Sequence, residues 1–321
     1  MISRFNMTFS YLAFARYGAA TLLFILTMLI MPLYVEGDQS AYRGVYSVLA
    51  DFDLKDAFLY YKAHLSSSEY VHFFLSWVLS PIVDKDLFIA VSNAIFGYVL
   101  MVLLQKWKAT PIISFMIVFT NFYLFVLYFA AERLKFGFIF LTISLIYLDQ
   151  IKRFYGFTIL ALISHVQVLI VYGSIVLYVG IKKLFEHIHN GTLPTASFFL
   201  IPLLLIPLYL MGDQLFLKFQ AYYGQGGFQA LIKVVVFFLL AMFYSKDKSQ
   251  TIAIFLPICM AVFLLGGDRI NLFGYFAFLY YGLQVKGGWN IGVIGTSAYY
   301  LCSTVIFLNN IFQTGNGFSA G

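Results

Sequence analysis

A polar stretch directly follows the first long apolar segment of the chain, and its residue types suit contact with a polar substrate. Asp38, Tyr42 and Tyr46 are four residues apart, so their side chains share one face if the stretch is helical. The carboxylate could act as a base or bind a substrate hydroxyl, or it could simply cap a helix. The spacing predicts one wall of a functional site.

One glutamate and two histidines are further candidates. Glu69 precedes a short apolar segment, where a helix dipole would favour a carboxylate, and His72 follows one turn later, close enough to share a proton with it. His165 lies within an apolar run, flanked by Ser164 and Gln167. A single histidine there could be a packing residue, a base, or a hydrogen-bond donor to a sugar.

Two arginines lie between apolar segments, on what we predict to be the same side of a membrane. Guanidinium groups at the start of helices suit bidentate binding of phosphate, so Arg133 and Arg269 are predicted to bind a phosphorylated substrate together. The helix N-termini would add their own attraction for an anion. Each arginine could instead pair with the adjacent acid or extend to lipid headgroups.

The composition predicts an all-α polytopic membrane protein. Hydrophobic residues make up 62% of the chain and charged residues 11%, too few charges to keep a soluble domain in water. At roughly 17–25 residues per crossing, the chain is long enough for about ten transmembrane helices. The first apolar run is predicted to be an uncleaved span. We expect a single integral membrane domain over residues 1–321.

The net charge of +6 would also suit nucleic acid, but the lysines and arginines lie in short loops, as the positive-inside rule predicts. Nucleic acid is therefore not an expected partner. Cys259 and Cys302 lie inside apolar runs without metal-ligand spacing, so neither a metal site nor a disulfide is predicted. No cofactor is expected.

The distribution of basic residues predicts an orientation with a cytoplasmic N-terminus. The predicted cytoplasmic loops are 105–108, 149–153, 181–183, 245–248 and 284–286. The predicted outer segments are 36–68, 84–86, 132–133, 212–229 and 266–269.

If every apolar segment crossed the membrane, the basic loops could not all lie on the cytoplasmic side. We therefore predict re-entrant segments near 69–83 and 155–180, the second with His165 at its tip, because irregular backbone at membrane depth is tolerated where protein or water surrounds it. The alternative for 155–180 is one long tilted helix. The long outer loop 36–68 is predicted to hold an amphipathic helix lying in the interface. Its predicted apolar side consists of Leu49, Phe52, Leu54, Phe58 and Leu59.

The candidate residues also occur in a familiar order. In chain order they are Gly37, Asp38, Tyr42, Tyr46, Glu69, Arg133, Ser164, His165, Arg269, Ile270 and Asn271. This order resembles the EpsG family of bacterial exopolysaccharide assembly, which is similar to Wzy-type O-antigen and capsule polymerases. The chain departs from that family's usual pattern after Glu69, after Arg133 and before His165.

The resemblance implies a metal-independent membrane glycosyltransferase. Its substrate would be an oligosaccharide repeat unit on undecaprenyl diphosphate, and transfer to another lipid-linked unit would occur on the outer face of the bacterial inner membrane. Membrane lipids and a chain-length regulator are the further partners implied. The resemblance implies catalytic roles for Asp38 and His165. It implies substrate-binding roles for Arg133, Arg269, Tyr42, Tyr46 and Glu69. His72 is predicted to join them from its spacing to Glu69 alone.

A secondary transporter or flippase for a lipid-linked saccharide is the main alternative, and a non-catalytic scaffold is a third. Broken helices and polar residues at membrane depth also suit transport. A polymerase would gather Asp38, Arg133 and Arg269 at one outward-facing cavity. A transporter would instead distribute its polar residues along the depth of the membrane.

Overall fold

The computed structural model describes residues 2–190, 212, 216, 220, 227–267 and 269–318. Throughout these residues the regular structure is helical. The chain divides into two compact units, the first formed by Met1–His165 with Gly287–Gly321 and the second by Val166–Lys286. Each unit is described by itself.

The helices of the first unit are α1 Ile2–Ile30, α2 Asp38–Leu49, α3 Leu54–Leu65, α4 Tyr70–Leu79, α5 Lys85–Lys106, α6 Pro111–Thr120, α7 Phe122–Phe125, α8 Glu132–Ile146, α9 Ile151–Ser164 and α14 Ile291–Thr314. A π-helical segment, Val126–Ala130, joins α7 to α8. The second unit contains α10 Leu169–Asn190, α11 Phe228–Tyr244, α12 Lys248–Leu265 and α13 Asn271–Gly282.

Long apolar helices indicate a membrane protein, as the composition predicted. Four helical stretches among the described residues are long and apolar enough to cross a bilayer. They are Tyr11–Leu33, Lys85–Lys106, Lys248–Leu265 and Lys286–Thr314. The pair Pro111–Thr120 and Phe122–Ala130, bent by 61°, would make a fifth if it is one span.

This number is below the ten spans that the sequence suggested, because several apolar segments form shorter helices. α8 has 15 residues and α9 has 14. At about 1.5 Å per residue, each is shorter than the ~30 Å hydrocarbon core of a bilayer. The predicted span near 197–211 lies outside the described residues, as does most of the predicted outer loop 212–229.

Both predicted re-entrant regions contain short helices. α4 has only 10 residues. The region 155–180 is interrupted, because α9 ends at Ser164 and His165 is extended, with φ −160° and ψ 124°. A short 3-10 turn, Val166–Val168, follows. The alternative of one long helix across this region is therefore wrong.

The loop 36–68 is helical, as predicted, but only part of its predicted apolar side is buried. Leu49 is fully buried, and Phe52 and Phe58 pack against the same core cluster. In α3 the buried residues are Ala57, Tyr61 and Leu65, whose spacing places them along one side of the helix. Leu54 and Leu59 were predicted to form the apolar side but are 50% and 55% exposed. These two residues were misplaced because the prediction counted residue type alone, whereas Tyr61 packs inward and hydrogen-bonds through its hydroxyl.

One end of the first unit collects groups predicted to be cytoplasmic; we call it the basic end. There Arg16 Nε donates to Gln105 Oε1 at 2.7 Å. Lys106 Nζ pairs with Asp149 Oδ2 at 2.8 Å. These contacts join the middle of α1 to the end of α5, and the end of α5 to the turn that follows α8.

The opposite end of the first unit contains α2 and α3, and we call it the loop end. Arg43 Nη2 pairs there with Asp86 Oδ1 at 2.6 Å. The last helix, α14, also finishes there, since the backbone amides of Val35 and Glu36 donate to the carbonyl of Gly315. Within this unit, the segments predicted to face the outside share one end.

The second unit shows a similar agreement. Tyr178 donates to Asp247 at 3.2 Å, which brings α10 close to the start of α12, as expected for two predicted cytoplasmic loops. Asp247 also caps α12 by accepting from the backbone amide of Gln250. The amide of Gly227 donates to the carbonyl of Phe263, next to the predicted outer segment 266–269.

Candidate functional site

A buried carboxylate joins four helices at the loop end of the first unit. Glu132 is fully buried. Its oxygens accept from Lys85 Nζ at 2.7 and 2.9 Å, from Gln39 Nε2 at 2.7 Å and from His72 Nε2 at 3.4 Å. A carboxylate has about four lone-pair positions, so these contacts occupy its full capacity. We call these four residues the Glu132 cluster.

The cluster forms where four helices begin. Gln39 is the second residue of α2, Lys85 the first of α5 and Glu132 the first of α8, while His72 lies in the first turn of α4. The positive ends of four helix dipoles are therefore close together. This arrangement favours negative charge at the loop end.

Arg133 follows Glu132 in sequence but belongs to a second set of contacts. Its Nε donates to the Tyr42 hydroxyl at 3.0 Å, and its Nη1 donates to Glu69 Oε2 and to the Leu65 carbonyl, both at 3.1 Å. These bonds use three of the five guanidinium donors. Nη2 makes no hydrogen bond with any residue that the structure describes, and the side chain is 19% exposed. Arg133 can therefore offer Nη2 to a ligand.

Glu69 lies between Arg133 and His165. One carboxylate oxygen accepts from Arg133, and the other, Oε1, is 3.6 Å from His165 Nε2. Glu69 is fully buried and His165 is 4% exposed. We call Arg133, Tyr42, Glu69 and His165 the Arg133 cluster. Four predicted site residues that are far apart in sequence are thus brought together: Tyr42, Glu69, Arg133 and His165.

His72 belongs to the first cluster rather than to Glu69. Its Nδ1 is 2.9 Å from the Tyr61 hydroxyl, and its Nε2 faces Glu132. An ionised carboxylate only accepts, so Nε2 carries a proton, and Nδ1 of a neutral ring accepts from Tyr61. Both ring nitrogens are therefore engaged.

The three residues of α2 that were predicted to share one face, Asp38, Tyr42 and Tyr46, have different surroundings. Burial raises the pKa of Tyr42 to about 12 despite the nearby Arg133 guanidinium, so this phenol stays protonated at neutral pH. The Tyr46 hydroxyl donates to the Val83 carbonyl at 2.9 Å. Asp38 is exposed at the first turn of the helix, where Gly37 takes the N-cap position. The predicted common face is helical, but only the two tyrosines are buried on it.

A third polar group lies deeper in the first unit. Lys135 is fully buried, and its Nζ donates to Asn93 Oδ1 at 2.8 Å. Asn93 in turn donates to Thr27 Oγ1 and to the Tyr128 carbonyl, both at 3.0 Å. Among the residues that the structure describes, Lys135 forms no ion pair.

Arg269 belongs to the second unit, where it is exposed two residues before α13. Joint phosphate binding by Arg133 and Arg269 therefore stays a prediction. Sequence reasoning did not select Gln39, Lys85, Asn93 or Lys135 as site residues. Lys135 carried the clearest signal, since an ionisable residue inside an apolar helix is a functional candidate by default.

Within the described ranges, no group of three or more His, Cys, Asp or Glu side chains is placed to hold a metal ion. Comparison of the chain with models of protein families, with curated proteins and with solved structures gives no match.

Proposed function

We propose that this protein is a polysaccharide polymerase of the bacterial inner membrane. It transfers a glycan from undecaprenyl diphosphate to another lipid-linked oligosaccharide repeat unit on the outer face. The order of the candidate residues, which resembles the EpsG and Wzy-type proteins, suggests this reaction. The observation that supports it best is the partly exposed Arg133, which has an unused Nη2 among several helix N-termini.

A lipid diphosphate matches the chemistry of this site. Its oxygens accept charge-assisted hydrogen bonds from a guanidinium, which suits the open Nη2 of Arg133. The dipoles of α2, α4, α5 and α8 add a positive potential at the same end of the unit. Such groups stabilise the negative charge that develops as the diphosphate leaves. Arg269 is proposed to add a second guanidinium.

The reaction needs one proton acceptor. The hydroxyl oxygen of the acceptor sugar forms a bond to the anomeric carbon of the donor glycan, and the bond from that carbon to the diphosphate oxygen breaks. The diphosphate leaves with the electron pair. Asp38 or His165 takes the hydroxyl proton. Four further residues contact the substrate or position the side chains that contact it: Tyr42, Tyr46, Glu69 and His72.

The membrane arrangement forms part of the proposal. About ten crossings and two half-membrane elements, near 69–83 and 155–180, would place the loop end at the outer leaflet. The short α4 and the break at His165 support the half-membrane elements. A chain-length regulator is the proposed protein partner.

A flippase for the same lipid-linked saccharide is the second candidate. The buried Lys135 and Asn93, which lie deeper than the two clusters, are the observation that favours it. Most charged contacts within the described part of the first unit nevertheless lie at its loop end or its basic end. This distribution fits a site at one surface better than a path across the membrane.

The proposal is tested by replacing Arg133 in a strain that lacks the chromosomal copy. Arg133→Ala should abolish long-chain glycan and leave single repeat units on the outer-face acceptor, because the diphosphate loses its guanidinium. Arg133→Lys should retain only a small fraction of the polymer, since an ammonium keeps the charge but cannot make the bidentate hydrogen bonds of a guanidinium. The readout is the glycan chain-length ladder at equal protein levels in the membrane.

Lys55→Ala is the matched control, because Lys55 is an exposed cation on α3 at the same end. It should leave the ladder unchanged. A normal ladder from Arg133→Ala would refute the phosphate-binding role. Loss of single units as well as polymer from the outer face would favour the flippase.

A further inference from the structure

We infer that the buried ammonium of Lys135 supplies, through the protein interior, positive charge that stabilises the leaving diphosphate at Arg133. This role rests on the proposed polymerase function, whose mechanism otherwise leaves Lys135 unused. Lys135 does not touch the lipid, so its contribution is electrostatic rather than that of a catalytic residue.

The contacts of Lys135 place its charge inside the first unit. The residue is fully buried, and its Nζ donates to Asn93 Oδ1 at 2.8 Å. The amide of Asn93 is held in this orientation, because its Nδ2 donates to the Thr27 hydroxyl and to the Tyr128 carbonyl, both at 3.0 Å. The ring of Phe136, 5.8 Å from Nζ, adds a weak attraction for a cation.

The charge of this side chain is what requires an explanation. A neutral donor such as a glutamine amide could satisfy Asn93 Oδ1 without the cost of burying an ammonium. An ionisable residue inside an apolar helix is a functional candidate for that reason. The hydrogen bond to Asn93 alone therefore does not account for a lysine at this position.

The carboxylates nearby do not cancel this charge. Lys85 Nζ contacts both oxygens of Glu132, at 2.7 and 2.9 Å, and Arg133 pairs with Glu69 at 3.1 Å. Each cluster thus sets one cation against one carboxylate. Lys135 is a third cation, and within the part of the chain that the structure describes no carboxylate pairs with it. One positive charge therefore remains beneath the loop end.

This charge is close enough to act on an anion at Arg133. The ring of Tyr42 lies 5.4 Å from Lys85 Nζ and 5.7 Å from the guanidinium carbon of Arg133, so the two clusters adjoin. Lys135 follows Arg133 by two residues in α8 and points to the other side, which puts the charges on the order of 10–15 Å apart. At an effective dielectric constant of about 20, one unit charge at that distance changes affinity about ten-fold.

The reaction gives this field a direction. When the bond between the anomeric carbon and the diphosphate oxygen breaks, the diphosphate keeps the electron pair and gains one negative charge. A fixed positive charge stabilises the more negative state, so it lowers the barrier to bond breaking as well as strengthening binding. No proton passes to or from Lys135 in this step.

The test compares ligands that share one hydrocarbon chain but differ in charge. Binding of farnesyl diphosphate, farnesyl phosphate and farnesol is measured to the purified full-length protein in detergent. Lys135→Gln keeps a polar donor and removes the charge, so it should bind the diphosphate about ten-fold more weakly, the monophosphate less affected and farnesol unchanged. Lys135→Met should give the same order, and either neutral variant suffices if the other fails to fold.

Two results would overturn the role of Lys135. One is wild-type affinity of the neutral variants for the diphosphate, and the other is an equal loss for all three ligands, which would indicate a structural defect. Lys55→Gln is the matched control, because it removes an exposed cation of α3 at the same end. Its small effect should vanish at high salt, whereas that of Lys135→Gln should persist, since buried charges are screened less.

The charge can also be observed in the wild-type protein. Labelling with ¹⁵N-lysine should show an ammonium at Lys135 near neutral pH, with the signal assigned by its loss in either neutral variant. A neutral amine would refute the electrostatic role. The polymer assay should show a fall in kcat of about ten-fold in Lys135→Gln at equal protein levels.

The two proposals can fail separately. If the wild-type protein binds neither phosphorylated ligand, the diphosphate site of the proposed polymerase fails, and the role of Lys135 fails with it. If Arg133→Ala loses diphosphate binding while both neutral variants of Lys135 keep it, only the role of Lys135 fails. If binding follows the expected order but purified protein makes no polymer from lipid-linked units, the polymerase function fails.

Discussion

Neighbouring residues at the start of α8 take part in different sets of contacts. Glu132 joins Lys85, Gln39 and His72, whereas Arg133 forms its ion pair with Glu69. Successive residues of a helix point in directions about 100° apart, so adjacent charges of opposite sign do not face each other. The alternative that Arg133 pairs with the adjacent Glu132 is therefore wrong, because its ion-pair partner is Glu69.

The saturation of Glu132 explains the position of Lys135. All acceptor positions of the carboxylate are used by three other side chains, so Lys135, one turn further along α8, is left with the neutral amide oxygen of Asn93. A buried ammonium without a charged partner costs stability.

Replacement of Lys135 should therefore stabilise the protein. Lys135→Met has a side chain of similar length without the charge, and we expect the free energy of unfolding to rise by about 1–4 kcal/mol. The measurement is thermal unfolding of the purified protein in detergent. Lys152→Met, at an exposed position of α9, is the control and should change little. A larger destabilisation by Lys135→Met than by Lys152→Met would contradict this account.

At the scale of helices, the site depends on where each helix begins. α2, α4, α5 and α8 all start at the loop end, and each contributes a side chain from its first turn to one of the two clusters. Such a site is sensitive to the conformation of the residues that precede each helix. Gly37, the N-cap of α2, has φ +63°, a conformation that favours glycine.

Substitution of Gly37 should disturb the start of α2. A Cβ there would lie 2.9 Å from the side-chain oxygen of Asn316, in addition to the unfavourable backbone angle. We expect Gly37→Ala to lower the free energy of unfolding by about 1–3 kcal/mol and to reduce polymer length, because Gln39 and Tyr42 move with the helix start. Unfolding in detergent and the glycan ladder measure the two effects.

Gly44 supplies the matched control within the same helix. A Cβ at Gly44 would meet nothing within 4 Å. Gly44→Ala should therefore stabilise α2 by about 0.5–1 kcal/mol, since alanine loses less conformational freedom in a helix. If the two alanine variants behave alike, the argument from the φ angle of Gly37 fails.

At the scale of the molecule, the segments of the first unit that were predicted to lie on different sides of a membrane gather at its two opposite ends. The basic end contains the Arg16 and Lys106 contacts, and the loop end contains both candidate clusters. The distribution of lysine and arginine in short loops was sufficient to sort these segments. The same distribution agrees with a contact in the second unit, where the Tyr178 hydroxyl donates to Asp247.

The orientation can be measured by cysteine labelling. In a background with Cys259 and Cys302 replaced by serine, Lys55→Cys should react with a membrane-impermeant maleimide in intact cells, because it is exposed on α3. Lys152→Cys, exposed at the start of α9, should react only after the membrane is permeabilised. The reverse pattern would place the clusters on the cytoplasmic side and exclude a polymerase that acts outside.

The helical class, the position of most helices, the segments that share one end of the first unit and the break near His165 were all predictable from composition and the placement of charges. These properties are local or statistical, because apolar stretches form helices in a membrane and basic loops face one way. The number of long spans was overestimated, since apolar runs do not reveal where a helix stops short. Leu54 and Leu59 of α3 were also wrongly assigned to the apolar side.

The pairing of the charged groups became visible only in the folded chain. Arg133 binds Glu69 across 64 residues, and Glu132 binds Lys85 across 47. The cost of burying a charge requires each to find a partner, but it does not specify which partner. That choice depends on how four helix starts pack together, because a difference of one residue in a helix turns a side chain by about 100°.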